Sequence, residues 1–276
     1  MAHITVSGRE LFHQRRGHGE PLLLVQGMSG THLTWGEPFL EALAGHGFDV
    51  ISYDHRGVGR SARVDDPFSI ADLAADAAGL LDALGLEAAH VLGVSMGGMV
   101  AQELALGHPD RVRTLALGCT YCGGPGSVLV GDAVLARLSA SMLSGDRERS
   151  IRAMFDVNVS AAFAARPGAY EAFRAMAKSL PAPVPVVMLQ MQAIFGHDTS
   201  ARLPGLRVPT LVVHGDEDIM LPVANGRLIA GLIPGARYEE LPGVGHLFWW
   251  EQPQRSAELV AEGAAAGAPG RTGAGG

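Results

Sequence analysis

The chain has 276 residues, 47% of them hydrophobic, and a formal net charge of -7 at pH 7. That length supports a large core and fits one α/β domain with an insertion, or two domains at most. The acidic balance and the lack of any Lys/Arg run argue against nucleic acid, and no apolar run approaches the ~20 residues of a membrane span.

The first twenty residues contain no signal-peptide-like apolar stretch, so a cytoplasmic location is expected. Residues 3–6 and 10–15 predict two short strands around a turn at Gly8. "PLLLVQG" (21–27) is a continuous apolar run ending in glycine, the pattern of a strand buried on both faces. A helix follows from about Trp35 to Gly45, then a second buried strand, "FDVISYD" (48–54), and its turn, "DHRGVGRS" (54–61). Residues 69–85 have helical apolar spacing with Ser69 placed to cap it. "AAHVLGVS" (88–95) predicts a strand, 96–109 a helix stopped by Gly107 and Pro109, and 112–118 another strand. Later come strands at 208–215 and 236–243, a helix near 222–232 and a closing helix at 251–263. Strands alternating with helices predict an α/β fold with a parallel, doubly wound sheet.

Residues 123–204 break that rhythm. They are helix-prone, and they carry five of the ten methionines and four of the nine phenylalanines. We expect a helical cap insertion over one end of the sheet, forming an apolar roof, with the core made of 1–122 and 205–262. The Ala/Gly-rich tail, 263–276, lacks the apolar surface to order itself.

The chemistry centres on Gly93-Val94-Ser95-Met96-Gly97, a G-x-S-x-G at a strand-to-helix junction. Such a turn strains the serine backbone and lifts the hydroxyl above the sheet edge, while bulk on either side would strike the adjoining strand and helix. A serine hydroxyl is a weak nucleophile until a base takes its proton and a third group orients that base. The loop "HGDEDIMLP" (214–222) offers Asp216, Glu217 and Asp218, and "LPGVGHLFWWEQP" (241–253) offers His246. Both loops leave the carboxyl ends of their strands, as Ser95 does, and that edge is where open α/β sheets place their sites.

These motifs resemble those of the α/β-hydrolase fold over nearly the whole chain, tail excepted. G-x-S-x-G resembles the nucleophile elbow, H-G-x-x-D-x-x-x-P the acid loop, G-x-G-H the histidine loop and "YDHRGVGRS" the D-x-R-G-x-G-x-S turn. The resemblance implies a catalytic triad of Ser95, Asp218 and His246. It also implies an oxyanion hole made by the backbone N–H groups of Met28 and Met96, whose side chains would line the pocket. "LLVQGMSG" matches the oxyanion loop, with Gln26 where the family usually carries histidine. A serine elbow argues against the aspartate-elbow dehalogenases and epoxide hydrolases, and Met96 against proline iminopeptidases of G-x-S-W-G type. The nearest likeness is to carboxylesterases, enol-lactonases, cofactor-free haloperoxidases or perhydrolases and polyketide methylesterases. The implied substrate is a small, largely apolar ester or, in second place, a lactone, with no cofactor. A ligand receptor with an intact triad and slow turnover is the competing class.

Other residues read more plainly. Arg56 is expected to brace loops, with His55 beside it; His214 stands close behind the acid loop, and His32 either lines the pocket or lies at the surface. His197-Asp198 reads as an ordinary histidine beside a helix-capping aspartate. Cys119 and Cys122 read as two small buried thiols, and no histidine pair has metal-site spacing, so no metal is expected. The "LFWW" cluster (247–250) should pack the last helix on the sheet, with Leu247 or Phe248 near substrate.

Overall fold

The runs that read as doubly buried strands send alternate side chains into two separate cores. In β3 (Glu20–Val25), Leu23 and Val25 join one cluster, while Leu22 and Leu24 join the other. β4 (Phe48–Tyr53) divides the same way, with Ile51 and Tyr53 on one face and Phe48 and Val50 on the opposite one. The computed structural model describes residues 1–267, and the sheet at its centre has eight strands. β1 (Ala2–Val6) and β2 (Arg9–Arg16) form an antiparallel hairpin whose second strand runs antiparallel to β4. From β4 onward all neighbours are parallel, through β5 (Ala89–Val94), β6 (Val112–Gly118), β7 (Thr210–Gly215) and β8 (Arg237–Leu241). The spatial order is β1-β2-β4-β3-β5-β6-β7-β8. The direction of winding reverses at β3, so a crevice opens beyond the carboxyl ends of β3 and β5.

Helices cover both faces. α1 (Glu37–Gly45) buries Phe39, Leu40 and Leu43 in the core that also holds Leu22 and Leu24. α2 (Ile70–Ala83) and α3 (Met96–Gly107) pack on the opposite face. Ser69 caps α2 as its sequence suggests: its Oγ accepts from the Asp72 N–H at 3.1 Å, and the Asp72 carboxylate accepts from the Ser69 N–H at 2.8 Å. Such reciprocal caps satisfy two N–H groups that the helix itself leaves free.

Between β6 and β7 lie five helices: α4 (Asp132–Leu143), α5 (Arg147–Asn158), α6 (Ala161–Ala164), α7 (Ala169–Ser179) and α8 (Val184–Phe195). They touch loops that leave the carboxyl ends of several strands. Gln190 Oε1 accepts from Ser29 after β3, Val186 packs where a Cβ on Gly57 after β4 would sit, and the Asn158 carbonyl accepts from Leu247 after β8. Beyond them α9 (Ala224–Leu232) flanks β7 and β8. The expected closing helix is two: α10 (Phe248–Glu251) and α11 (Pro253–Ala266).

One expectation needs correcting here. The tail was expected to begin at 263, yet α11 continues through Ala266 because Ala264 is buried in the core around Phe248 and Trp249. The remaining residues of that tail, 268–276, lie outside the described residues. Among the described residues no helix is long and apolar enough to cross a membrane.

Candidate active site

Ser95 sits between β5 and α3 with φ 54° and ψ -125°, a conformation costing on the order of 1–3 kcal/mol in a residue with a side chain. The glycines around it are dictated by contact. A Cβ on Gly93 would lie 2.2 Å from the Gly97 carbonyl, and one on Gly97 2.0 Å from the Val25 carbonyl. The elbow therefore closes only with hydrogen at both positions. Ser95 is half-buried, and backbone bonds hold it: its N–H donates to the Gly118 carbonyl at 3.0 Å, and its carbonyl accepts from Thr120 Oγ1 at 2.7 Å. The strain is thus maintained from β6, the neighbouring strand. Ser95 stands at the N-cap of α3, so the positive end of the helix dipole lies at this residue.

Of the three acidic residues after β7, the fold separates one. Asp216 and Glu217 are exposed, and the Asp216 carboxylate is occupied by the Gly243 N–H. Asp218 is buried: its Oδ1 accepts from the N–H groups of Met220 and Leu221, both at 2.9 Å, and His246 Nδ1 donates to its Oδ2 at 2.7 Å. His214, fully buried on β7, donates through Nε2 to the Leu221 carbonyl at 2.8 Å and lies 3.2 Å from Asp218 Oδ2. Burial alone would raise the carboxyl, but the charge of His246 and the bonds from His214 and His246 prevail and hold it low. For His246 burial alone would lower the imidazole, yet the Asp218 carboxylate overrides it and places it well above the ordinary histidine value. The pair is built to keep a proton on Nδ1 and leave Nε2 for another partner.

No motif marks Cys119 as part of this site, yet its thiol touches the His246 imidazole and the Ser95 backbone. Its Sγ, a His246 nitrogen and an Asp218 oxygen all lie within 4.8 Å of one another. Burial pushes this thiol upward, which favours its protonated form. Cys119 also adopts φ 39°, directly after the Gly118 carbonyl that holds the Ser95 N–H. The residue type alone carries no signal for that position; only its place at the end of β6 does.

The loop after β3 faces the elbow. Gly27 is so close that a Cβ there would lie 3.0 Å from Ser95 Cβ. Gln26 is buried and its Oε1 accepts from the Gly27 N–H at 2.8 Å, which satisfies locally a donor next to Met28. His55 Nε2 donates to the Gln26 carbonyl at 2.9 Å, and burial keeps that imidazole neutral. A histidine from the turn after β4 thus braces the loop in which glutamine stands for the family's histidine. Ser29 turns the chain with φ 61°. Met28 is half-buried, whereas Met96 lies wholly inside the core. The expectation that the Met96 side chain lines the pocket is corrected on that ground.

The remaining candidates find structural partners. Arg56 makes a bidentate pair with Asp76 of α2, at 2.6 and 2.7 Å, in the interior. His32 is buried, not at the surface, and pairs through Nδ1 with Asp54 at 2.9 Å. His197 is buried with both ring nitrogens unpartnered among the described residues, and Asp198 caps a turn through Ser200. Phe248 and Trp249 are core residues, and the indole N–H groups of Trp249 and Trp250 both donate to the Thr34 carbonyl.

Comparison with known proteins agrees with this architecture. The profile described as "alpha/beta hydrolase fold" matches residues 20–253. "Putative carbamate hydrolase RutD" of Azorhizobium caulinodans is 34% identical over 253 residues, 91% of this chain and 93% of that protein. A hydrolase from Pseudomonas aeruginosa superposes with a TM-score of 0.81 at 31% identity, over 95% of this chain and 97% of that one. An esterase from Thermogutta terrifontis does so with a TM-score of 0.80 at 29% identity, over 97% and 99%.

Proposed function

Since this chain belongs to the α/β-hydrolase-fold family, we propose that it is a serine hydrolase cleaving a carboxylic ester of a small, largely apolar substrate by way of an acyl-enzyme. The observation that carries the reading is the buried His246–Asp218 pair, 2.7 Å across, at the sheet edge where Ser95 occupies its strained elbow. In this reading His246 takes the Ser95 proton through Nε2 as Oγ attacks the acyl carbonyl. Asp218 fixes the tautomer through Nδ1 and stabilises the imidazolium. The N–H groups of Met28 and Met96 receive the oxyanion, and losing one such donor typically costs about 10²–10³ in rate. His246 then protonates the leaving alcohol and activates the water that frees the acid. No step calls for a metal or a redox group.

Likeness to RutD, a name that refers to carbamate, supports a second reading in which the acyl group carries nitrogen. Both substrates present a carbonyl to the same nucleophile, and a lactone is an ester whose two products stay joined. One experiment separates them: steady-state hydrolysis of p-nitrophenyl butyrate, a p-nitrophenyl carbamate and a small lactone by wild type and Ser95→Ala. Sustained ester turnover that vanishes in Ser95→Ala is the expected result. Carbamate turnover above ester turnover would favour the second reading. Ester hydrolysis surviving in Ser95→Ala would eliminate Ser95 as nucleophile. A single stoichiometric burst followed by silence would identify a receptor.

A further inference from the structure

Among the described residues, the helices between β6 and β7 contribute one side-chain hydrogen bond to the loop opposite Ser95. Gln190, on α8, is wholly buried, and its Oε1 accepts from the Ser29 N–H at 2.9 Å. Its Nε2 is shielded from solvent and has no partner among the described residues. A buried donor without a partner destabilises a fold, and a hydrocarbon of similar shape at this position would avoid that cost. Packing therefore gives no account of the glutamine. What the amide does supply is an acceptor for a backbone N–H in a loop that needs holding.

Ser29 needs that hold because its φ of 61° is unfavourable for any residue with a Cβ. It directly follows Met28, the proposed oxyanion donor. The other side of the loop is fixed from within by Gln26 Oε1 on the Gly27 N–H, and from the turn after β4 by His55 on the Gln26 carbonyl. Among the described residues, Gln190 alone reaches this loop by a hydrogen bond from α4–α8, across 161 residues of sequence. α8 is itself anchored nearby, where Tyr121 Oη donates to the Ile194 carbonyl at 3.0 Å and Val186 packs on Gly57.

We propose that Gln190 is a positioning residue for the oxyanion loop, so that the hole is complete only when α8 is docked. This rests on the serine-hydrolase reading above. Gln190 touches no reacting atom; it sets the direction of the Met28 N–H through Ser29. Its removal should therefore weaken the transition state more than substrate binding.

The test compares wild type, Gln190→Met and Gln190→Glu on p-nitrophenyl butyrate, with rates expressed per site titrated by a fluorophosphonate so that unfolded protein is not counted. Inhibition by phenylboronic acid, which forms a tetrahedral adduct on the serine, gives a second readout. Gln190→Met keeps the volume and loses the acceptor: kcat should fall on the order of 10-fold, with KM within about twofold, and boronate inhibition should weaken in parallel. Gln190→Glu keeps an acceptor oxygen and should restore most of both. Unchanged kcat in Gln190→Met, equal losses in both variants, or a loss confined to KM would each overturn the assignment. Lack of any Ser95-dependent turnover in wild type would instead overturn the hydrolase reading, and this inference with it.

Discussion

At the scale of single residues, the site is governed by competition between burial and charge. His246 is buried, which favours neutral imidazole, but the Asp218 carboxylate stabilises the charged form enough to place it above its ordinary value of 6.5. Only neutral imidazole can accept the Ser95 proton, so kcat/KM should rise with pH through a midpoint above 6.5. Replacing Asp218 by Asn removes the opposing charge and leaves burial dominant, so the midpoint of the residual activity should move toward acid. The same change frees the wrong tautomer, and kcat should drop by about 10⁴. A pH–rate profile of both proteins measures the two effects together; a midpoint that stays in place in Asp218→Asn would mean that His246 is not the titrating base. His214 remains beside the altered residue and can still donate to its oxygen, so loss of fold is not the expected cause.

At the scale of elements, the histidine loop is held by the helices that interrupt the sheet. Glu251 of α10 accepts through Oε1 from the N–H groups of Gly245 and Ser160, both at 2.9 Å, and through Oε2 from Ser160 Oγ at 2.5 Å. Gly245 leaves no room for a side chain against Val159 and Ser160, so the residue before His246 is clamped from two directions. Glu251→Gln keeps the shape and an oxygen for the two N–H groups but removes the charge and forces the Ser160 hydroxyl from donor to acceptor, which should cost roughly 1–3 kcal/mol in urea unfolding and lower kcat more than KM. A variant with wild-type stability would show that the clamp is made by packing. None of this partnership was legible in the sequence, because 91 residues separate Glu251 from Ser160 and neither lies in a recognisable motif. The strands were legible because burial on both faces writes a continuous apolar run, as in Leu22–Val25. The elbow was legible because Gly93, Ser95 and Gly97 fall together in one short motif, although the contact that forces Gly97 comes from Val25 on a distant strand. The continuation of α11 was not, since Ala264 is ordered by a core formed from distant residues and its composition says nothing of that.

At the scale of the whole molecule, the chain leaves the sheet after β6 and returns before β7, and the return is fastened to the exit. The Thr199 N–H donates to the Cys122 carbonyl at 2.8 Å, Thr199 Oγ1 to Gln102 Oε1 at 2.5 Å, and Gln102 Nε2 to the Tyr121 carbonyl at 3.1 Å. His197 lies in this junction with no hydrogen bond to either nitrogen among the described residues, and burial, only partly offset by Glu103, lowers its pKa to about 4. The folded protein thus resists a proton that the unfolded chain takes up near 6.5. Its contribution to stability is complete above that value and is lost progressively as pH falls toward 4. Each unit of difference corresponds to about 1.4 kcal/mol, so the full loss is roughly 3 kcal/mol. His197→Phe removes the titration and both unpartnered nitrogens while keeping a ring beside Tyr121. Urea unfolding of the two proteins should give similar or slightly higher stability for the variant at pH 8. The gap should then widen in the variant's favour between pH 6.5 and 4, whereas parallel stability curves would mean that His197 is already protonated, or solvated, in the folded junction.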